Sequence, residues 1–375
     1  MTHPVGTLVT GVSLAPTWWR AEAWRREDSR VEELFSGGPT AELVRGADAA
    51  GFDLAFRPDA AEVRPDALAR GIGQMGLDPI VQLASLAAAT TRITLVATIS
   101  ATFADPFTVA RQLSSLEHLA GPRIGWNLVT SLGGDANHAA PRSADSAGRW
   151  RRAEEFLDVV ESLRDSFRTE ALVIDRDSGA FAGPGLVRPI DHDGENFTVA
   201  GPLTTPSVRV GRLPLLQAGD SEAGRDFAAR HADMVFCLAP RPETSAELRT
   251  DLAARARAAG RGRGAVAVLP GLSLFLAPTR AEAWALYVSA EGRAGSDDGA
   301  LGDGDDLAGR IDRAEAGGRH WTVIGTPADA VAAIEERAAA RSIDGFIAFP
   351  GGSLGSARLL VDDVMPALRE RGLVA

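Results

Sequence analysis

The chain contains no lysine, so all 39 of its basic residues are arginine. With 40 glycines and abundant alanine, this is the signature of a GC-rich genome rather than of a functional device. The 50 acidic residues outweigh the arginines, giving a formal net charge of −11 and a pI near 5.1. Phosphate backbones repel such a surface, which argues against a nucleic-acid partner. There is one cysteine, Cys237, so an internal disulfide and a cysteine-based metal site are both excluded. It lies in the apolar run Met234-Val-Phe-Cys-Leu238 and reads as a small buried residue, not a nucleophile. No apolar stretch reaches the ~18 residues needed to span a bilayer. The N-terminus lacks a basic stretch followed by an apolar core, so no membrane association and a cytoplasmic location are expected. No GxGxxG follows the first apolar run, leaving a dinucleotide-binding fold unsupported. Internal repeats, coiled-coil heptads and inter-domain linkers are also missing, and residues 1–375 are expected to form one domain.

What the sequence does have is a rhythm. Eight short runs rich in Val, Ile, Leu and Phe occur at 8–13, 53–56, 92–99, 123–129, 213–217, 234–238, 265–275 and 345–349. Near-continuous hydrophobicity of this kind suits parallel strands covered by helices. Helix-length, alanine-rich segments separate them. Asp78-Pro79 and Asp105-Pro106 each open one, with proline in the first turn, where its missing N–H costs nothing. Residues 149–167 form a long amphipathic helix with Phe156, Val159, Val160 and Leu163 at helical spacing. Gly325-Thr326-Pro327 caps a helix running to Arg341, and residues 356–371 close the chain. Strand-then-helix repeated eight times points to an α/β fold of the (β/α)₈ TIM-barrel type, with a doubly wound open sheet as the competitor. Two segments break the pattern. Residues 170–206 read as an insertion containing a hairpin. Residues 291–318 are rich in Gly and Asp and read as a mobile loop, a candidate lid.

Ligands of parallel barrels bind at the carboxyl ends of the strands. Those ends carry Asp59 after the second run, Thr98 in the third, Asn127 and Thr130 in the fourth, and the turn Gly219-Asp-Ser-Glu-Ala-Gly224 after the fifth. The set is rich in amide and hydroxyl groups and holds no His/carboxylate cluster, so no metal is expected. It suits a heteroaromatic ligand with many edge hydrogen bonds. The turn at Gly219 and Ser221 offers helix N-terminal N–H groups to a phosphate, or is a plain N-cap; Asp220 and Glu222 weigh against the first reading. His138, in the loop after the fourth run, is a weak catalytic candidate. His118 and His231 read as structural. Trp18, Trp19 and Trp24 line a pocket or pack helices, with equal weight.

Several stretches in order carry a resemblance: Leu86 to Ser100, Asp105-Pro-Phe-Thr-Val-Ala-Arg111, Gly125-Trp-Asn-Leu-Val-Thr-Ser131, Arg152-Ala-Glu-Glu-Phe156, Leu216-Gln-Ala-Gly-Asp-Ser-Glu-Ala-Gly224 and Ile324-Gly-Thr-Pro327. Together they resemble the bacterial-luciferase-like flavin monooxygenases, within them the nitrilotriacetate monooxygenase component A branch. The resemblance implies a barrel that takes reduced FMN from a separate NAD(P)H:flavin reductase and uses O2 to oxygenate a small organic substrate, working as a homo-oligomer. It places Asp59, Thr98, Asn127, Thr130 and Ser221 around the flavin, with Ser221 near its phosphate, and Gly219 joins the cofactor-binding set from the reading of its turn. The family's Arg-Tyr pair is here Arg149-Trp150, which removes a hydroxyl from that contact. In Phe56-Arg57-Pro58-Asp59 the family has an apolar and a small residue before the aspartate, so the guanidinium of Arg57 changes the pocket's polarity, and the segment before His320 is shorter than usual. A deazaflavin (F420) oxidoreductase of the same superfamily and a flavin-binding protein without turnover are the alternative readings.

Overall fold

The computed structural model describes residues 7–69, 71–73, 75–131, 133–138, 145–262, 266–292 and 306–375. Its nine principal strands are β1 (Val9–Ser13), β2 (Leu54–Arg57), β3 (Thr94–Ser100), β4 (Ile124–Val129), β5 (Leu215–Gln217), β6 (Met234–Cys237), β7 (Ala267–Leu276), β8 (Trp321–Gly325) and β9 (Gly345–Pro350). Each of β1 to β6 pairs in parallel with the next, β6 pairs with β7, β7 with β9, and β9 with β1. That circuit is a closed eight-stranded parallel barrel ringed by helices, the (β/α)₈ architecture, and it rules out the open sheet.

The eight barrel strands are the eight apolar runs of the sequence. β8 is additional and was not legible. It exists because β7 is ten residues long, while β6 pairs only with its first four, Ala267 to Pro270. The upper half of that edge would be left unpaired, and β8 takes it, from Trp321 beside Leu272 to Gly325 beside Leu276.

The barrel is a packed core. Val9, Leu54, Phe56, Val96, Leu216, Met234, Leu269, Ile347 and Phe349 fill one buried cluster, contributed by seven different strands. A larger cluster lies between strands and helices, and Trp18 and Trp19 belong to it at 1% and 2% exposure, so they are core residues and not pocket lining.

Helix starts follow their sequence signals. α1 spans Gly38–Ala49. Asp78 and Asp105 accept hydrogen bonds from Val81 N (3.0 Å) and Thr108 N (2.8 Å) to cap α2 (Pro79–Ala87) and α3 (Pro106–Ala120). The long α4 (Ser146–Ser166) is capped by Asp145, and α5 (Glu222–His231) by Ser221. α6 (Pro242–Ala258), α7 (Arg280–Ala290), α8 (Leu307–Ala316) and α9 (Pro327–Ala339) follow, and Leu354–Leu359 and Met365–Glu370, joined by the π turn Leu360–Val364, close the chain.

The reading of 291–318 as one mobile loop is corrected in its second half. Residues 293–305 lie outside the described residues, but α8 is a regular helix. Asp306 caps it, and Leu307, Ile311 and Ala314, spaced along one face, pack on the cluster around Phe275 and Tyr287. The insertion 170–206 does hold a short hairpin, His192–Asp193 against Thr198–Val199. Glu155 of α4 anchors it, accepting from the backbone N–H of Asn196 and Phe197 and bonding His192 Nε2 at 3.0 Å.

Candidate active site

A cavity of about 950 Å³ opens at the carboxyl ends of the barrel strands. Asp59, Thr98, Asn127, Thr130 and Gly219, picked out at strand ends in the sequence, all line it. Thr98 and Asn127 face each other across the β3–β4 register, and Asn127 Nδ2 donates to Thr98 Oγ1 at 3.0 Å. Asn127 is 2% exposed, yet its Oδ1 has no hydrogen-bond partner among the described residues. Leaving a buried acceptor unmet costs about 1–3 kcal/mol, so this oxygen calls for a donor from within the cavity. On the neighbouring strand, Gln217 Nε2 donates to the Gly219 carbonyl at 3.1 Å. Beside them, burial holds the Asp59 carboxyl above the usual range, opposed by the Ala60 amide and the Arg57 guanidinium.

Ser221 and Trp150 do not line this cavity; they lie behind Gly219. Ser221 is the N-cap of α5, accepting from Gly224 N at 3.2 Å, as the plainer reading of that turn has it. The same hydroxyl accepts from Ser146 Oγ at 3.1 Å, so the N-terminal ends of α4 and α5 converge on two adjoining hydroxyls. Arg149, one turn into α4, has a buried Nε with no partner among the described residues. The acidic neighbours that weighed against an anion here are engaged elsewhere: Asp220 with Arg225 at 2.7 Å and Glu222 with Arg255 at 2.7 Å. Trp150 is 6% exposed and packs on Phe227, with ring centroids 4.9 Å apart. Its ring explains two glycines: a Cβ on Gly219 would come within 2.8 Å of it, and one on Gly224 within 3.2 Å.

His138 lies outside the main cavity. Its exposed ring stacks on Phe103 at 4.2 Å, beside a smaller cavity of about 230 Å³ shared with Asp59 and Thr98. His118 Nε2 bonds the Pro206 carbonyl at 2.8 Å and His231 Nε2 bonds Glu154 at 2.9 Å, both structural contacts. Cys237 touches the cavity, but burial pushes its thiol up to about 12, which leaves it unreactive.

Of the opposite wall, sequence reasoning singled out Arg57 alone. There, His320 stacks on Phe349 at 5.0 Å and lies 6.0 Å from Phe236. Burial, reinforced by Arg20 and Arg319, pulls its pKa down to about 4, so the imidazole is neutral. Its Nδ1 is buried without a partner among the described residues. Gly271 makes the room: a Cβ there would come within 2.4 Å of that nitrogen. Arg20, Arg57 and Arg319 complete this wall. Among the described residues no group of His, Cys, Asp and Glu forms a metal site, and no helix is long and apolar enough to cross a membrane.

Comparison with known proteins bears on this geometry. Residues 19–372 match the sequence profile of the family described as luciferase-like monooxygenase. The chain is 39% identical over 250 residues to dibenzothiophene-sulfone monooxygenase of Rhodococcus erythropolis, covering 64% of this chain and 55% of that protein. It is 33% identical over 276 residues to nitrilotriacetate monooxygenase component A of Aminobacter aminovorans, covering 70% and 61%. The chain thus spans less than two thirds of the length of these relatives. A solved structure of riboflavin lyase with modified FMN and riboflavin superimposes with a TM-score of 0.82 at 29% identity, covering 98% of this chain and 93% of that one.

Proposed function

The chain belongs to the luciferase-like monooxygenase family, and from that premise we propose that it is a flavin-dependent monooxygenase using reduced FMN and O2 to oxygenate a small organic substrate. The observation that carries this reading is the unmet, buried Asn127 Oδ1 next to Thr98, in a cavity roomy enough for a tricyclic ring and a second molecule. An amide acceptor held in place by a neighbouring hydroxyl suits a ring N–H of the flavin's polar edge.

Thr98, Asn127 and Thr130, with Asp59, would hold that edge. Gly219, Ser146, Ser221 and Arg149 would hold the phosphate, with Trp150 packed behind them. Bound reduced FMN supplies the electrons that activate O2. The chain's own part is to orient the ring and to keep the reacting face dry, for which Phe56, Phe236 and Phe349 supply apolar surface. His138, sharing the smaller cavity with Asp59 and Thr98, is the candidate for moving a proton. The same reading includes a separate NAD(P)H:flavin reductase as partner, a homo-oligomeric state and a cytoplasmic location.

Anaerobic titration with reduced FMN, and in parallel with reduced F420, tests the cofactor. Reduced FMN should bind at micromolar concentration, and Asn127→Leu should weaken FMN and riboflavin alike by about fivefold, the scale of one net hydrogen bond. An absence of FMN binding at those concentrations, or a preference for F420, would sink the reading.

A further inference from the structure

Three guanidiniums line the main cavity without an ion pair. Arg20, Arg57 and Arg319 all face it, and none has a carboxylate oxygen within 4.0 Å among the described residues. The chain carries a surplus of acid, yet none of that acid is spent on these three. Arg212, Arg225, Arg249, Arg255 and Arg280 each meet a carboxylate at 2.5–2.8 Å. Arg57 is the sharpest case. It is 5% exposed, its Nε has no partner among the described residues, and its Nη2 donates to the Leu77 carbonyl at 3.1 Å. Asp59 and Asp78 lie near enough to favour its charge but do not reach it. Glu291 does the same for Arg20, against the repulsion of Arg319. A nearly buried cation without a counter-ion is costly unless something anionic joins it.

The guanidiniums also have a place. Arg20 follows β1, Arg57 ends β2, and Arg319 enters β8 on the edge of β7. Strands β7, β9, β1 and β2 are consecutive around the barrel, so the three occupy one arc of its mouth. The converging ends of α4 and α5, which suit a phosphate, belong to the opposite arc, beyond β5. Between the cations the wall is aromatic: His320, Phe349 and Phe236 contact one another, and Phe56 lies 5.9 Å from Phe236.

We propose that this arc is the substrate site and that it takes an aromatic oxyanion, its ring against the Phe236–His320–Phe349 wall and its carboxylate or sulfonate held by Arg20 and Arg319, with Arg57 behind. The assignment of this ligand as the substrate rests on the flavin reading above; the anion site does not. Neutral His320 offers a stacking face without adding charge, and two guanidiniums at the rim match the planar oxygen pair of a carboxylate.

Calorimetric titration of the full chain, with and without FMN, decides it. The probes are 2-naphthoate, naphthalene-2-sulfonate and the uncharged isostere 2-naphthamide. Both anions should bind about tenfold tighter than the amide, the scale of a partly solvated charge-assisted hydrogen bond. The double variant Arg20→Gln/Arg319→Gln should abolish that preference while FMN affinity and melting temperature stay unchanged. Both side chains are exposed, so the fold tolerates the change. Equal binding of all three probes, no binding of any, survival of the preference in the variant, or displacement of the anions by FMN would each overturn the proposal. A chain that binds 2-naphthoate but not FMN would keep the anion site and lose the flavin reading. One that binds FMN without preferring the anions would do the reverse.

Discussion

The two arcs of the barrel mouth are built from different chemistry. On β3, β4 and β5 the buried polar side chains that face the mouth are neutral and aligned by neighbours, Asn127 by Thr98 and Gln217 by the Gly219 carbonyl, and beyond β5 Ser221 meets Ser146. Around β7, β9, β1 and β2 three cations stand without an ion pair among the described residues, set in an aromatic wall with a neutral histidine, with the carboxylates Asp59 and Glu291 nearby but out of reach. Fixed dipoles hold one ligand edge in one orientation at little cost of reorganisation. Unpaired charge selects by the sign of what enters and acts at longer range. On the two proposals above, the difference teaches that a cofactor side and a substrate side would be told apart by which physical force each wall leaves unsatisfied.

The largest expected effect belongs to the phosphate end of the first arc. Arg149→Ala should weaken FMN binding by about 10- to 100-fold, the value of a hydrogen bond to a charged group, about 1.5–3 kcal/mol. Riboflavin, which has no phosphate, and 2-naphthoate should bind the variant as they bind the wild type. Flavin-fluorescence titrations measure both flavins. An equal loss for riboflavin and FMN would remove Arg149 from the phosphate and blur the division between the arcs.

The second arc should carry an acid sensitivity that the first lacks. His320 is held near pKa 4, below the ordinary value of 6.5. Between those values the unfolded chain protonates this imidazole and the folded chain does not. Stability from this group is therefore complete above about pH 6.5 and is lost as pH falls towards 4. The loss is about 2 kcal/mol at pH 5. His320→Phe keeps an aromatic ring on Phe349 and removes the proton site. Urea unfolding at pH 7.5 and pH 5 should show the wild type losing about that much more stability than the variant. Equal losses would mean that the ring is solvated and that the wall is not dry.

Legibility divides along the same line. The barrel strands were readable because their burial on both faces leaves continuous apolar runs. β8 was not, since its five residues follow a Gly- and Asp-rich stretch and its existence depends on how far β6 extends along β7. Helix α8 was hidden in that same composition, although Leu307, Ile311 and Ala314 carry its spacing. The rule that ligands meet the carboxyl ends of strands found Asp59, Thr98, Asn127, Thr130 and Gly219. It failed for Arg319 and His320, which sit at the amino end of a strand that begins halfway up its neighbour, and for Arg20, which lies among short 3₁₀ turns after β1. Nothing in the spacing of an arginine reveals that it lacks a counter-ion; only the assembled cavity does.

Trp150 gives the smallest effect and the finest division of the first arc. The resemblance to the family leads to tyrosine at this place, and the chain has indole. Trp150→Tyr does two things of opposite sign. It removes ring atoms that lie against Gly219 and Gly224 and on Phe227, which lowers stability by about 1 kcal/mol as a partly refilled cavity. It also adds a hydroxyl beside the meeting point of α4 and α5, where a phosphate oxygen would accept from it, worth about threefold in FMN affinity. Riboflavin affinity should not change. A lower melting temperature together with tighter FMN binding is therefore the expected pair of results. If FMN binding weakens instead, the indole is itself a wall of the phosphate site, and Gly219 is glycine to admit the tryptophan for the ligand's sake rather than for packing.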